Sequence, residues 1–77
     1  MNHRKVYHVV PRPDGTWAGE GEGAKRASVV GETKAEVLER TIEIAREHPL
    51  SQVIVHKQDG VIQEERTYGE DPYPPKG

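Results

Sequence analysis

Hydrophobic and polar positions change period twice along the chain. Lys5-Val6-Tyr7-His8-Val9-Val10 is rich in β-branched and aromatic residues and runs into Pro11, which lacks the N–H that a central ladder needs, so a first strand is predicted over 5–10. Pro11-Arg12-Pro13-Asp14-Gly15 is a loop whose Asp-Gly supplies the positive φ of a reversal, and Thr16 to Glu20, around Trp17, returns as a second strand. Gly19, Gly21 and Gly23 alternate with Glu20 and Glu22, a spacing that marks a bend or flexible connection before a short third strand, Lys25 to Val30.

The period then lengthens to that of a helix. Thr33-Lys34-Ala35-Glu36 is a capping box, in which the Thr33 hydroxyl meets the Glu36 N–H and the Glu36 carboxylate reaches back to Thr33. Leu38, Ile42 and Ala45 form an apolar stripe widened by Val37, Thr41 and Ile44. Glu36, Glu39, Arg40, Glu43, Arg46 and Glu47 take the wet side, and the helix runs to about His48, before Pro49. Strand periodicity resumes at Gln52 to Gln58, turns at Asp59-Gly60 and continues from Val61 to Thr67. A two-residue turn there pairs Lys57 with Ile62, whereas a three-residue loop with a bulge pairs His56 with Ile62, and the two place different side chains on one face.

These elements predict an α+β fold, β-β-β-α-β-β. An antiparallel-rich sheet of four to five strands carries one helix on one face, with a right-handed crossover if strands three and four are parallel. Residues 1–67 form the domain, and 68–77, with Pro72, Pro74 and Pro75, form an extended tail. Tyr68 and Tyr73 of that tail are expected to lie on the sheet in preference to Pro72 to Pro75 serving as a PxxP ligand. One helix covers one face only, and the first strand is apolar on both, so a homodimer or tail-covered sheet is an expectation.

Composition narrows the chemistry. A chain of 77 residues that is 32% hydrophobic, with no Phe and one Trp, has a small core. The absence of Cys excludes disulfides and thiolate metal sites, and no apolar run approaches a membrane span or a signal h-region, so a cytoplasmic protein is expected. Residues 1–30 hold five Lys/Arg against three Asp/Glu, while 31–50 and 51–77 each hold three against five. That slight basic bias locates the candidate binding residues: Arg4, Lys5, Arg12, Lys25 and Arg26 with Trp17, and Tyr7 between them, mix cations with rings that stack on single strands or RNA. Against this, Trp17 is expected to be the largest core residue, leaving the charges as a solvated rim.

No catalytic constellation is present. Gly-Glu-Gly-Glu-Gly puts carboxylates where a phosphate needs N–H donors, and Ser28 and Ser51 have no His in a recognised spacing. His3 and His8 face opposite sides of an extended segment, and His48 sits at the helix end, where the dipole favours a cation. His8 and His56, with Asp14 or Asp59, are the remaining combination for a His/carboxylate site, and they read as ordinary sheet or rim histidines.

His8-Val9-Val10-Pro11, Asp14-Gly15 with Trp17, Glu22-Gly23-Ala24, Arg26-Ala27-Ser28, Thr33-Lys34-Ala35-Glu36, His56 with Asp59-Gly60-Val61-Ile62-Gln63, and Tyr68-Gly69-Glu70-Asp71-Pro72 with Pro74-Pro75-Lys76-Gly77 stand in an order that resembles the small bacterial family called domain of unknown function 2188. The resemblance covers nearly the whole chain and implies a short, stand-alone bacterial protein with no assigned activity. Gly19-Glu20-Gly21 departs from the family pattern of an apolar residue followed by Lys, which implies a shorter and less basic second strand. The expected function is a small non-catalytic binding or interaction protein, not an enzyme, whose partner is itself or another protein. Binding of single-stranded DNA or RNA through the first three strands is the alternative. No cofactor, metal or membrane is expected.

Overall fold

A computed structural model describes residues 4–69. Strands β1 (Lys5–Pro11), β2 (Trp17–Gly21) and β3 (Val29–Gly31) precede helix α1 (Lys34–Ala45), which is followed by β4 (Leu50–His56) and β5 (Ile62–Gly69). All five strands lie in one sheet of order β3-β2-β1-β4-β5. The central pair, β1 and β4, is parallel, and the other three pairings are antiparallel, so the α+β sheet is mixed as well as antiparallel-rich. The crossover through α1 leaves the β3 edge, passes over β2 and β1, and rejoins beyond them. Strands three and four therefore run in the same direction with two strands between them.

Helix α1 begins where Thr33 caps it, its hydroxyl accepting from the Glu36 N–H at 3.2 Å. It ends at Ala45, short of His48, because the residue before a proline disfavours the α conformation. Tight turns from Glu47 N to Ile44 O (3.1 Å) and His48 N to Ala45 O (3.1 Å) lead into Pro49. The buried seam is Val37, Thr41 and Ala45, all fully buried, with Leu38, Ile42 and Ile44 half-buried beside it.

The reason the seam shifts onto small residues lies in β2. Gly19 and Gly21 are strand residues rather than a bend. A Cβ on Gly19 would come within 2.0 Å of Thr41 Oγ1, and one on Gly31 within 2.9 Å of Val37 Cγ2. The helix thus approaches the sheet over bare backbone, with room only for Val, Thr and Ala at its centre. The turn in this segment falls at Gly23, where φ is 82° and Ala24 N donates to Gly21 O at 2.9 Å. As a result β3 is shorter than predicted, and Lys25 and Arg26 lie in the β2–β3 loop.

Thr41 Oγ1 and Ser51 Oγ are buried without a hydrogen-bond partner among the described residues. Thr41→Val keeps the shape and removes an unsatisfied hydroxyl, so it is expected to raise stability by about 1 kcal/mol in urea denaturation. A loss of stability would mean that the hydroxyl has a partner.

Both Asp-Gly reversals fold alike. Arg12 N donates to Thr16 O (2.7 Å) and Gly15 N to Arg12 O (3.0 Å); Lys57 N donates to Val61 O (2.7 Å) and Gly60 N to Lys57 O (2.9 Å). Gly15 and Gly60 have φ of 93° and 92°, the left-handed position of a three-residue loop with a bulge. Of the two registers open from sequence, His56 therefore pairs with Ile62, and the shift next to Val55 leaves Gln63 unpaired.

The core, Tyr7, Val9, Val29, Val37, Ala45, Val53 and Val55, lies between α1 and one sheet face. Tyr68 is not in a tail: β5 continues to Gly69, Tyr68 packs against the core, and Arg46 lies 5.9 Å from the centre of its ring. The remaining tail expectations, Tyr73 on the sheet and Pro72 to Pro75 as a ligand, fall outside the described residues, as does His3. No helix among the described residues is long and apolar enough to cross a membrane.

Candidate functional site

Alternation along β1 sends Tyr7 and Val9 to the helix and Val6, His8 and Val10 to the other side, which no element of the described chain covers. The pairings assign the rest of that open face. Glu20 lies beside His8, Ala18 beside Val10, Val30 beside Ala18, Glu65 beside Ile54 and Ile62 beside His56. Val30 and Ile62 are 54% and 49% exposed, and with Val10 and Ile54 they give this face an apolar patch.

At the middle of this face the two strand histidines meet. His8 lies opposite Ile54 in the parallel pair, so His56, two residues further along β4, is its diagonal neighbour on the same side. His8 Nδ1 is 3.0 Å from His56 Nε2, with ring centroids 5.2 Å apart and planes inclined at 35°. The Asp59-Gly60 loop turns a carbonyl back onto the pair, placing Gly60 O 2.9 Å from His56 Nδ1. A carbonyl only accepts, so His56 Nδ1 carries hydrogen. In the neutral ring Nε2 then accepts from His8 Nδ1–H. The other His8 nitrogen, Nε2, is 3.6 Å from Glu22 Oε1, an ion pair when His8 is protonated. The line Glu22, His8, His56, Gly60 O thus joins the β2–β3 loop to the β4–β5 turn.

The carboxylate beside the histidines is neither of those suggested by sequence. Asp14 Oδ1 accepts from the Thr16 amide (2.9 Å) and hydroxyl (2.6 Å), and Asp59 Oδ1 from the Val61 amide (3.0 Å), so both are turn formers. The Thr16 hydroxyl and amide together hold the Asp14 carboxyl below the usual carboxylate range. Glu22 carried no signal except its place in the Gly-Glu repeat. His8 and His56 carried one, since both lie on strands, but their meeting depends on the parallel β1–β4 pairing.

The six residues considered for binding fall into two groups. Arg4 and Lys5, at the start of β1, share an end of the sheet with Lys25 and Arg26 of the β2–β3 loop, and all four are exposed. Arg12 and Trp17 are at the opposite end, about 20 Å away along the strands. Trp17 is half-buried against the helix side of the core, with Lys34 Nζ 5.1 Å from its ring centre, so the largest buried core side chain is Tyr7 and not Trp17. Lys5 Nζ lies 5.7 Å from the Tyr7 ring centre. Burial, and secondarily the charge of Glu47, push the Tyr7 hydroxyl up in pKa, and that hydroxyl is 3.3 Å from His48 Nε2. A separate cleft of about 570 Å³ lies between α1 and the β3 edge, bordered by Ser28, Val30, Glu39, Arg40, Glu43 and Ile44. It contains no histidine.

The family model described as an uncharacterised protein conserved in bacteria, domain of unknown function 2188, matches residues 7–68. The chain belongs to this family. The matched span begins at Tyr7 and ends at Tyr68, so the domain of unknown function 2188 takes in the sheet apart from Lys5, Val6 and Gly69, the helix and every member of the Glu22–His8–His56 line. A relative in Bacillus subtilis (strain 168), the uncharacterised protein YdaT, is 48% identical over 59 residues, which is 77% of this chain. The chain spans 38% of that relative's length. No solved structure matches.

Proposed function

We propose that this member of the domain of unknown function 2188 is a small non-catalytic interaction protein that pairs with a second copy of itself through the open sheet face. The observation that carries the reading is the set of large aliphatic side chains on that face, Val10, Val30, Ile54 and Ile62, around the histidine pair. A second copy suits it on two grounds. Five strands about 4.8 Å apart and some 20 Å long present on the order of 500 Å² of face, so two copies cover roughly 1,000 Å², at the low end of specific interfaces. The face also mixes both signs, with His8 and His56 among Glu20, Glu22 and Glu65, and a two-fold axis can set the histidines of one copy against the carboxylates of the other.

The same distribution favours a protein over nucleic acid. The basic residues are divided between two ends, and the surface separating them carries carboxylates that repel phosphate. Catalysis is disfavoured because the histidine pair lies on an open face and not in the cleft beside α1.

Sedimentation in EDTA from about 5 to 200 µM is expected to show a monomer–dimer equilibrium in the micromolar range, the affinity that so small an interface supports. Ile54→Glu, which sets a second carboxylate beside Glu65 on the open face, is expected to be monomeric throughout. A wild-type chain that stays monomeric at the top of this range would refute self-pairing.

A further inference from the structure

The two rings of the His8–His56 pair are held from outside and converge inside. His56 Nδ1 donates to the Gly60 carbonyl at 2.9 Å, and His8 Nε2 faces the Glu22 carboxylate at 3.6 Å. Metal-ligating histidines almost always anchor their second nitrogen on a backbone carbonyl or a carboxylate; Gly60 O does this for His56 by a hydrogen bond, and the Glu22 carboxylate stands at ion-pair distance from the second nitrogen of His8. The inner nitrogens, His8 Nδ1 and His56 Nε2, are 3.0 Å apart. Two nitrogens bound to one tetrahedral Zn²⁺ at 2.0–2.1 Å stand about 3.3 Å from each other, so an opening of a few tenths of an ångström converts the hydrogen bond into a chelate.

We infer that His8 Nδ1 and His56 Nε2 form a two-histidine site for a borderline divalent transition ion such as Zn²⁺. The ion takes the place of the proton between the rings. When His8 starts as the imidazolium, its Nδ1 proton leaves to solvent while its Nε2–H stays toward Glu22; two N–Zn bonds form, to His8 Nδ1 and His56 Nε2, and two water ligands leave the aqua ion in exchange. Glu20, Glu22 and Glu65 lie on the same face and favour a cation there. Among the described residues no three His, Asp or Glu side chains converge, so water completes the coordination. Sequence alone reads both histidines as ordinary sheet residues; their paired geometry assigns them the ion. Both ligands come from one chain, so the site does not depend on self-pairing.

The test is a Zn²⁺ titration of the full chain carrying His3→Ala, which removes the imidazole outside the described residues, followed through the ring-nitrogen NMR signals. The His8 and His56 signals are expected to move and saturate while those of His48 stay fixed. By calorimetry, His8→Ala and His56→Ala are each expected to weaken binding at least about tenfold, and Glu22→Gln, at an exposed position, by roughly three- to tenfold. Affinity should fall as the pH is lowered, because protons compete for the two nitrogens. Stationary His8 and His56 signals at about 1 mM Zn²⁺ would overturn the assignment, and so would a double alanine variant that binds as tightly as the parent. The NMR readout uses the intact pair, so it holds even if a variant fails to fold, and sedimentation in EDTA reports on self-pairing separately.

Discussion

Gly19→Ala is expected to destabilise the domain by about 3 kcal/mol, the upper part of the usual overpacking range, and to lower Tm by roughly 15 °C. The added methyl would sit 2.0 Å from Thr41 Oγ1, 3.1 Å from its Cβ and 3.3 Å from its Cγ2. Thr41 is fully buried at the centre of α1 and cannot swing aside, so either the helix lifts from the sheet or β2 bows away from it. Both motions open the contact of α1 with β1 as well, because one rigid helix spans both strands. Thr41→Ala should relieve the hydroxyl and methyl clashes while leaving the 3.1 Å Cβ approach, so the double variant is expected to recover about half the loss. That gives a coupling of more than 1 kcal/mol in a double-mutant cycle. Gly69 makes a useful contrast. Its Cβ would lie 1.9 Å from the Pro49 carbonyl oxygen, and φ is 98°, but it closes the last pair of β5, where fraying limits the damage. If urea denaturation showed Gly19→Ala to cost no more than Gly69→Ala, the helix would not be seated on bare backbone at β2.

Most of the fold was legible because its elements announce themselves locally. Thr33 with Glu36 starts the helix, Pro49 stops it, and each Asp-Gly pair reverses a strand. What remained hidden depends on contacts distant in sequence. Gly19 and Gly21 look like chain breakers until the helix is placed on them, when their lack of side chains becomes the condition for close packing. The same contact moves the buried seam from Leu38 and Ile42 to Val37 and Thr41, since the bulkier residues fit only at the flanks. For the histidines, face could be read from alternation, but proximity could not. His8 and His56 are 48 residues apart, and only the central parallel pairing makes them diagonal neighbours. Glu22 joins them through a loop whose course no periodicity describes. The basic residues illustrate the converse: adjacency in composition suggested one surface, and the antiparallel β1–β2 hairpin sent Arg12 and Trp17 to the far end from Arg4, Lys5, Lys25 and Arg26.

Adjacent residues on β4 separate folding from pairing. Val53→Ala is expected to cost about 2.5 kcal/mol, because Val53 is fully buried under α1 between Tyr7 and Arg66, and the cavity left by two methyl groups has little means of closing. Ile54→Ala, one residue on and facing the other way, is half-buried in a single chain and should cost about 1 kcal/mol of monomer stability. Its larger effect is expected on association. Ile54 stands beside the histidine pair at the middle of the open face, and truncating it there should weaken the dimer about tenfold, equivalent to roughly 1.4 kcal/mol. The two effects are distinguishable because a dimer that binds only the folded state makes Tm rise with protein concentration. Val53→Ala should lower Tm at every concentration and keep that slope, whereas Ile54→Ala should lower it less and flatten the slope. Parallel Tm shifts in both variants, with no concentration dependence in the parent, would mean that the open face of β4 contributes to folding alone and meets no second copy.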